Sequence, residues 1–194
     1  MNRIVMPTRI LRDHPRVVVI GTSGSGKTTF AQQLATVLSR PHIELDALHW
    51  GPDWKARTDF PELVQVATTA DAWVADGNHR TVRDQVWGRA TAVVWLNYPF
   101  HVVFYRALAR TIRRLVSRET LYSGNRESFR GAFLRPDSIP WWVIRTCHRR
   151  RKEYPALLSL PRFQHLELFE LHSHTQAVAL LRGAAWQETS CAPC

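Results

Sequence analysis

Residues 16–29 read RVVVIGTSGSGKTT, and this stretch decides the fold. The run RVVVI is rich in β-branched residues and is typical of a strand buried on both faces of a sheet. Residues 21–28 match the spacing G-x-x-x-x-G-K-[ST] at every required position, and the helix-forming series FAQQLATVL follows. A chance glycine-rich turn would fit the spacing alone, but the strand before it and the helix after it predict a phosphate-binding loop.

Each required residue of this loop has a chemical role. Glycines allow successive backbone N–H groups to turn towards phosphate oxygens, and the start of the next helix adds a partial positive charge. We expect Lys27 to reach the β- and γ-phosphates and the Thr28 hydroxyl to bind Mg²⁺. The expected cofactors are ATP and Mg²⁺. The residues expected to bind them are Gly21, Ser23, Gly24, Ser25, Gly26, Lys27, Thr28 and Thr29.

Short apolar runs alternate with amphipathic segments along the rest of the chain, which predicts a parallel sheet with crossover helices. The expected strands are 16–20, 42–45, 72–75, 91–96 and 165–169. The expected helices are 27–39, 59–69, 81–87, 99–118, 139–154 and 175–181. The result is a doubly wound α/β domain with five parallel strands over residues 16–185. A basic extension (1–15) precedes it, a tail (186–194) follows, and a polar lid insertion lies at about 119–140.

Composition narrows the class of protein. The chain has 194 residues, of which 45% are hydrophobic, so one domain with a packed core is expected. No apolar run reaches the length of a membrane span, and residues 1–15 lack the apolar core of a signal peptide. We therefore expect a cytoplasmic protein with no membrane partner.

Positive charge is in excess: Lys plus Arg total 26 against 16 Asp plus Glu, a net charge of +10. The arginines cluster in residues 106–151. Such a balance fits anionic partners, namely nucleotides, phosphorylated metabolites or nucleic acid, and it fits a solvated basic surface equally well.

The chain has three cysteines. Cys147 stands alone in a helical pattern and is expected to be packed. Cys191 and Cys194 form a CxxC pair that supplies two of the four ligands of a zinc site, which His172 and His174 would have to complete. A frayed terminus is the favoured interpretation of that pair.

Two acidic residues follow predicted strands, at the edge where α/β sheets bind ligands. Asp46, in IELDALHW, is expected to deprotonate an acceptor hydroxyl or to hold Mg²⁺ through water, although an Asx-type turn or cap would also place it there. Asp76 begins DGNHR and is the candidate acidic ligand of the Mg²⁺ shell, with a tight Asp-Gly-Asn turn as the alternative. Arg80 is expected to grip an anionic acceptor.

Arg106 and Arg110 are four residues apart and share one face of the predicted helix 99–118. Arginines beside a phosphate site neutralise charge on the moving phosphoryl group. Further arginines of this region are Arg113, Arg114, Arg135, Arg145 and Arg149. Each alone is equally explained as solvated surface, but as a set they favour a lid. The aromatic residues near Asp46, which are His49, Trp50 and Trp54, either stack on a substrate ring or pack the loop.

Four segments carry a resemblance to known proteins. GTSGSGKTTFA, ELDALHW, WVADGNHR and VVWLNYPFHVVFYRALAR resemble the adenylate-kinase-related P-loop proteins, and most closely the group labelled DNA topology modulation proteins. The resemblance spans about residues 16–181. It implies a P-loop fold of nucleotide-kinase type and ATP-dependent phosphoryl transfer.

The resemblance also implies roles for individual residues. Asp76, Gly77 and Arg80 resemble the D-G-x-P-R segment of nucleoside monophosphate kinases, in which the arginine binds the acceptor phosphate. Arg106 and Arg110 match the paired arginines that open the lid in that superfamily, and Arg135 and Arg145 loosely resemble a second pair. Asn78 and His79 depart from the pattern by replacing an aromatic residue and a proline, so AMP is not the expected acceptor.

Three functions are therefore in competition. The favoured one is a kinase that phosphorylates an unidentified small molecule or nucleotide, with Lys27, Asp46, Arg106 and Arg110 as catalytic residues and Asp46, Asp76, Gly77 and Arg80 around the acceptor. The second is an ATPase that acts as a nucleotide-dependent DNA-binding or regulatory protein. The third is a plain NTPase switch, whose hydrolysis no acceptor would divert. The sequence shows no helix-turn-helix, zinc finger or other nucleic-acid-binding module, so nucleic acid is the less favoured partner.

Overall fold

The phosphate-loop segment lies at the centre of a parallel sheet. The computed structural model describes residues 9–117, 120–125 and 139–185. Its strands are β1 (Arg16–Gly21), β2 (His42–Glu44), β3 (Trp73–Asp76), β4 (Ala92–Leu96) and β5 (Glu167–Leu171). They pair in the order β2-β3-β1-β4-β5, and every pair is parallel. The predicted five-stranded parallel sheet is confirmed.

Helices cover both faces of this sheet. The helices are α1 (Arg9–Arg12), α2 (Lys27–Val37), α3 (Leu45–His49), α4 (Phe60–Ala67), α5 (Arg83–Arg89), α6 (Phe100–Ser117), α7 (Ile139–Leu158) and α8 (His174–Ala185). Side chains alternate along a strand, so Val17 and Val19 join a core with α1, α2, α6 and α8. Val18 and Ile20 join a second core with α4, α5 and the end of α7. This arrangement is the doubly wound architecture that the sequence predicts.

Two segments of the domain depart from the expected boundaries. The second strand ends at Glu44, so Asp46 lies in the first turn of the short helix α3 and not at a strand end. The buried side chain of Leu45 anchors that turn against the second core. The last long helix, α7, continues to Leu158 with Pro155 inside it.

Residues 9–15, expected as an extension, take part in the fold. Leu11 is fully buried in the first core. The Arg12 guanidinium donates to the Ala184 carbonyl of α8 at 2.6 Å, and the Arg40 guanidinium donates to the Arg12 carbonyl at 2.7 Å. The domain of this chain therefore includes α1.

Cys147 is buried as a free thiol, as predicted. The CxxC pair, Cys191 and Cys194, lies outside the residues that the structure describes. Within the described ranges, no helix combines the length and apolar character that crossing a membrane requires.

The first prediction concerns the core. Leu34 of α2 is fully buried against the sheet, so Leu34→Ala should lower the free energy of unfolding by about 2–4 kcal/mol through lost burial and a residual cavity. Urea denaturation followed by circular dichroism measures the change. Val66→Ala is the control because Val66 is 71% exposed, and it should cost less than about 0.5 kcal/mol. Equal effects would contradict the assignment of α2 to the core.

Candidate active site

The glycine-rich loop is a continuous turn from the end of β1 to the first turn of α2. It contains all the predicted nucleotide-binding residues, which are Gly21, Ser23, Gly24, Ser25, Gly26, Lys27, Thr28 and Thr29. Gly24 has φ +86°, and a Cβ there would lie 2.7 Å from the Val103 carbonyl oxygen and 2.8 Å from the Ala107 Cβ. Only glycine therefore allows the loop to pack so closely against α6.

The mouth of the loop is open. Gly26 has φ +88°, and a Cβ at this position would meet no atom within 4 Å. No side chain caps the N-terminus of α2 at Gly26. The buried Ser25 hydroxyl also has no hydrogen-bond partner within the described ranges. Backbone N–H groups at a helix start next to open space fit a phosphate group.

Thr28 and Asp76 meet beside this loop. The Thr28 hydroxyl donates to Asp76 Oδ2 at 2.7 Å, and the imidazole Nε2 of His42 is 2.8 Å from Asp76 Oδ1. Asp76 is 2% exposed. Hydrogen bonding to Asp76 raises the pKa of His42 above its usual range, although burial of the ring opposes the shift.

A hydroxyl and a carboxylate oxygen are the ligands that Mg²⁺ prefers. No cluster of three or more His, Cys, Asp or Glu side chains among the described residues could hold a metal ion by itself. Thr28 and Asp76 therefore fit the protein's share of a Mg²⁺ shell that phosphate oxygens and water complete. Their role as metal ligands stays a prediction.

Lys27 lies among charges of both signs. Desolvation lowers the pKa of its ammonium group, the carboxylates of Asp46 and Asp76 raise it, and the guanidinium groups of Arg150 and Arg110 lower it further. The balance is a pKa below the usual range. Bound phosphate would raise this pKa, because a nearby negative charge favours the ammonium form.

Asp46 is held by a histidine of the segment after β3, His79. The His79 Nε2 lies 2.7 Å from Asp46 Oδ1, and the His79 ring packs against His49 and Phe60 at centroid distances of 4.4 and 5.0 Å. Burial would raise the pKa of Asp46, but the His79 hydrogen bond and the charges of Lys27, His79 and His49 outweigh it and hold the pKa low. The side chain is still 40% exposed. Asp46 is thus a fixed, ionised carboxylate beside Lys27.

Asn78, the residue before His79, holds the start of the phosphate loop. Its side-chain amide donates to the Gly21 carbonyl, and the Gly21 N–H donates back to Asn78 Oδ1 at 3.4 Å. The neighbouring Gly77 N–H donates to the Val19 carbonyl at 3.4 Å, which ties the segment to β1. Sequence reasoning gave Asn78 and His79 no role; their position directly after a strand was the available signal.

Helix α7 also reaches the loop. The Arg150 guanidinium donates to the Gly21 carbonyl at 3.2 Å. Arg151 donates to the Asn97 side-chain oxygen at 2.9 Å and to the Tyr98 carbonyl at 2.8 Å. Sequence reasoning missed both residues, and the three consecutive arginines at 149–151 were the only hint of their role.

Arg80 does not lie alone in the crevice. Its guanidinium donates to Glu153 Oε1 of α7 at 2.8 Å, and 65% of its side chain is exposed. Arg83 and Arg149 lie 3.5 and 3.8 Å from the same carboxylate. Burial would raise the pKa of Glu153, but the Arg80 hydrogen bond and the three guanidinium charges hold it below its usual range. A grip of Arg80 on the acceptor would therefore require this ion pair to open, and that role stays a prediction.

The arginines predicted to form the lid differ in how near they lie to the phosphate loop. Arg110 of α6 is close enough to Lys27 for its charge to lower the lysine pKa. The Arg106 guanidinium stacks over the Tyr98 ring at 5.5 Å. Arg145 is exposed on α7, and Arg135 falls outside the described residues. Among the three that the structure describes, Arg110 alone is shown to act electrostatically on Lys27 of the loop.

The part of the predicted lid insertion that the structure describes, residues 120–125, packs against the segment that contains Glu44, Trp50 and Gly51. The Tyr122 hydroxyl donates to the Glu44 carboxylate, and the Ser123 hydroxyl donates to the Trp50 carbonyl at 2.7 Å. The Asn125 amide donates to the Gly51 carbonyl at 2.8 Å. Residues 120–125 thus close one side of the site. The predicted lid lies mostly in residues 126–138, which the structure does not describe.

No protein-family model and no curated protein sequence matches this chain. Solved structures do match it. A shikimate kinase from Acinetobacter baumannii, solved with shikimate, is 18% identical over 91% of this chain and 93% of its own, with a TM-score of 0.53. A gluconokinase from Sinorhizobium meliloti aligns at 18% identity over 88% and 91% of the two chains, with a TM-score of 0.47. A sugar kinase from a Janibacter species aligns at 19% identity over 88% and 92%, with a TM-score of 0.46.

The likeness to the shikimate kinase shows the fold, a five-stranded parallel sheet with flanking helices around a phosphate loop. The finer resemblance to DNA topology modulation proteins is not confirmed by these comparisons.

A second prediction follows from the lowered pKa of Glu153. A carboxylate whose pKa is lower in the folded state stabilises the protein above its unfolded pKa, and this contribution is lost as the pH falls through the folded pKa. Glu153→Gln should cost about 1–2 kcal/mol at neutral pH, and the difference from the wild type should shrink as the pH falls below the unfolded-state pKa of about 4.3 and through the lower pKa of the folded state. Thermal unfolding across pH measures it.

The matched control is Glu62→Gln, at an exposed position of α4, which should have little effect at any pH. A Glu153→Gln deficit that stayed constant down to acidic pH would show that the carboxylate charge is not the stabilising element.

Proposed function

We propose that the protein is an ATP-dependent kinase that transfers the γ-phosphoryl group of Mg-ATP to a hydroxyl group of a small molecule. One observation carries this proposal: the ionised carboxylate of Asp46, fixed by His79, lies within electrostatic reach of Lys27 in a phosphate-binding loop. A proton acceptor next to a phosphate site is the arrangement that phosphoryl transfer to a hydroxyl requires.

The donor is held by groups already placed around the loop. Backbone N–H groups at the start of α2 face the phosphates, Lys27 supplies a charge for their outer oxygens, and Thr28 with Asp76 supplies oxygen ligands for Mg²⁺. Bound Mg-ATP supplies the γ-phosphoryl group, whose bond to the β–γ bridging oxygen breaks as the bond to the acceptor oxygen forms, with release of ADP. Asn78 and Arg150 fix the first residue of the loop, Gly21, and so keep this cradle in place.

The acceptor is activated by Asp46. The His79 hydrogen bond engages Oδ1 and sets the orientation of the carboxylate, which leaves Oδ2 to take the proton of the attacking hydroxyl. His79 acts through Asp46 and is a positioning residue. Arg110 and Arg150 place positive charge near Lys27, where it would balance the charge of the moving phosphoryl group.

The alternative of a DNA-binding ATPase gains no support from the described arginines. Arg150 and Arg151 of the basic run of α7 make hydrogen bonds to Gly21, Asn97 and Tyr98, so these two guanidinium groups contribute to the site and are not presented as a surface for a nucleic-acid backbone. We therefore assign a small molecule as the partner.

The third prediction tests the donor half of the proposal. Full-length protein is incubated with Mg-ATP and a panel of nucleosides, nucleotides, polyols and sugars, and ADP formation is followed. At least one acceptor should raise the rate, and Lys27→Ala should lower the acceptor-stimulated rate by about 100-fold or more. Lys152→Ala, at an exposed position of α7, should leave it unchanged. ADP formation that no acceptor changes would sink the kinase assignment in favour of a plain ATPase.

The fourth prediction separates binding from chemistry. Asp46→Asn keeps the size of the side chain and removes its basicity, so turnover should fall about 100-fold or more while ADP affinity, measured by calorimetric titration, stays within about threefold. Asp84→Asn makes the same chemical change on α5, where Asp84 is 68% exposed, and should preserve both quantities. Unchanged turnover in Asp46→Asn would remove Asp46 from the mechanism.

A further inference from the structure

Charge is segregated across the phosphate loop. The loop follows β1, the central strand. Asp76 and Glu44 end β3 and β2, which lie on one side of β1, and Asp46 lies two residues after Glu44, in the first turn of α3. Arg110 and Arg150, whose charges act on Lys27, belong to α6 and α7, which follow β4 on the other side. The sheet thus separates an acidic half of the site from a basic half.

The carboxylates of Asp46 and Asp76 act on the third carboxylate, that of Glu44. Burial raises the pKa of Glu44, and the charges of Asp76 and Asp46 raise it further, although a hydrogen bond from Tyr122 opposes the shift. The same three carboxylates act on Tyr122. Burial raises the pKa of its phenol, and Glu44, Asp46 and Asp76 raise that pKa further. Residues 120–125 therefore bring a hydroxyl donor over an acidic surface.

Two arginines that follow the acidic residues in the sequence, Arg57 and Arg80, are already paired. Arg57 makes two bonds to the Asp59 carboxylate, at 3.0 and 2.7 Å, on the exposed surface. Arg80 is bonded to Glu153. The histidines that touch the carboxylates, His42 and His79, each face one acid and are engaged by it. Arg57 and Arg80 are thus already engaged by carboxylates of the domain, which leaves Lys27 of the loop, among these three cations, to meet an incoming anion.

Aromatic rings continue the acidic surface outwards. The His49 ring, which packs on His79, also contacts the Trp50 ring at 4.6 Å, and Trp50 contacts Trp54 at 5.7 Å. Residues 122–125 hold this loop through Ser123 and Asn125. Carboxylates that accept hydrogen bonds from hydroxyl groups, next to aromatic faces that cover a ring, suit a polyhydroxylated ring compound.

We infer that the phosphoryl acceptor is an uncharged or positively charged hydroxyl compound that binds on the Glu44–Asp46 side of the loop, and that acceptors carrying a phosphate or carboxylate group are disfavoured. The inference rests on the proposed kinase function and names the substrate class of the same site. Its physical basis is that the carboxylates of Glu44 and Asp46 repel a nearby anionic group, while they accept hydrogen bonds from hydroxyl or ammonium groups.

The test compares acceptors that differ mainly by one anionic group. Full-length protein with Mg-ATP is assayed with adenosine against AMP, and with glucitol against gluconate, and ADP formation gives kcat/KM for each. The uncharged member of a pair should be favoured by at least about tenfold. If neither member is phosphorylated, the pair is compared by inhibition of the Lys27-dependent basal consumption of ATP, and the same order is expected.

Glu44→Gln provides the decisive variant, because glutamine still accepts the Tyr122 hydrogen bond but carries no charge. It should narrow the preference for the uncharged member by about three- to tenfold, whereas Glu62→Gln on the outer face of α4 should not change it.

The possible results distinguish an error in the acceptor class from an error in the proposed kinase function. AMP or gluconate acting as well as, or better than, its uncharged partner would overturn the acceptor class and leave the kinase assignment standing. A preference that Glu44→Gln leaves unchanged would equally overturn it. The absence of any Lys27-dependent consumption of ATP would instead contradict the proposed function, and the acceptor class with it.

Discussion

Asp76 is a carboxylate with 2% of its side chain exposed, and a charge buried to that extent is costly unless it is paired. The Thr28 hydroxyl and the His42 imidazole satisfy its two oxygens. These partners come from the helix after β1 and from β2, while Asp76 itself ends β3. One buried charge therefore ties the end of β3 to the start of β2 and to the helix that follows β1, beside the loop where a nucleotide phosphate and its metal would sit.

Helix α7 completes the site from far along the chain. Arg150 bonds to Gly21, Arg151 to Asn97 and Tyr98, and Glu153 to Arg80. Each of these contacts engages a segment that follows a different strand: the phosphate loop after β1, the DGNHR segment after β3 and the turn after β4. A movement of α7 would therefore change the contacts of all three segments and couple α7 to the site.

Positive and negative side chains lie on different sides of the phosphate loop. The triphosphate needs compensating positive charge, which Lys27, Arg110 and Arg150 place at and beyond the central strand. The opposite side carries Glu44, Asp46 and Asp76, of which Asp46 is held ionised by its histidine. Such a division would favour binding of the donor and the acceptor on opposite sides of the loop, because each would bind where its own charge is tolerated.

The sequence by itself determined the phosphate loop, the five parallel strands and the candidate acids, because these depend on local spacing and on hydrophobic period. The Gly21–Thr28 pattern needs only its neighbouring strand and helix to be recognised. The sequence also predicted Asp46 and Asp76 near the loop, since the carboxyl ends of parallel strands share one edge of a sheet, and Arg110 from the helix face that it shares with Arg106.

Only the tertiary structure decided the partners. No spacing rule links His79 to Asp46, Asn78 or Arg150 to Gly21, or Tyr122 to Glu44, because these contacts join residues 33 to 129 positions apart. The same holds for Arg80, whose pairing with Glu153 depends on where α7 packs. Hydrogen-bond partners over such separations are set by how the helices pack on the sheet, and that packing is a property of the whole chain.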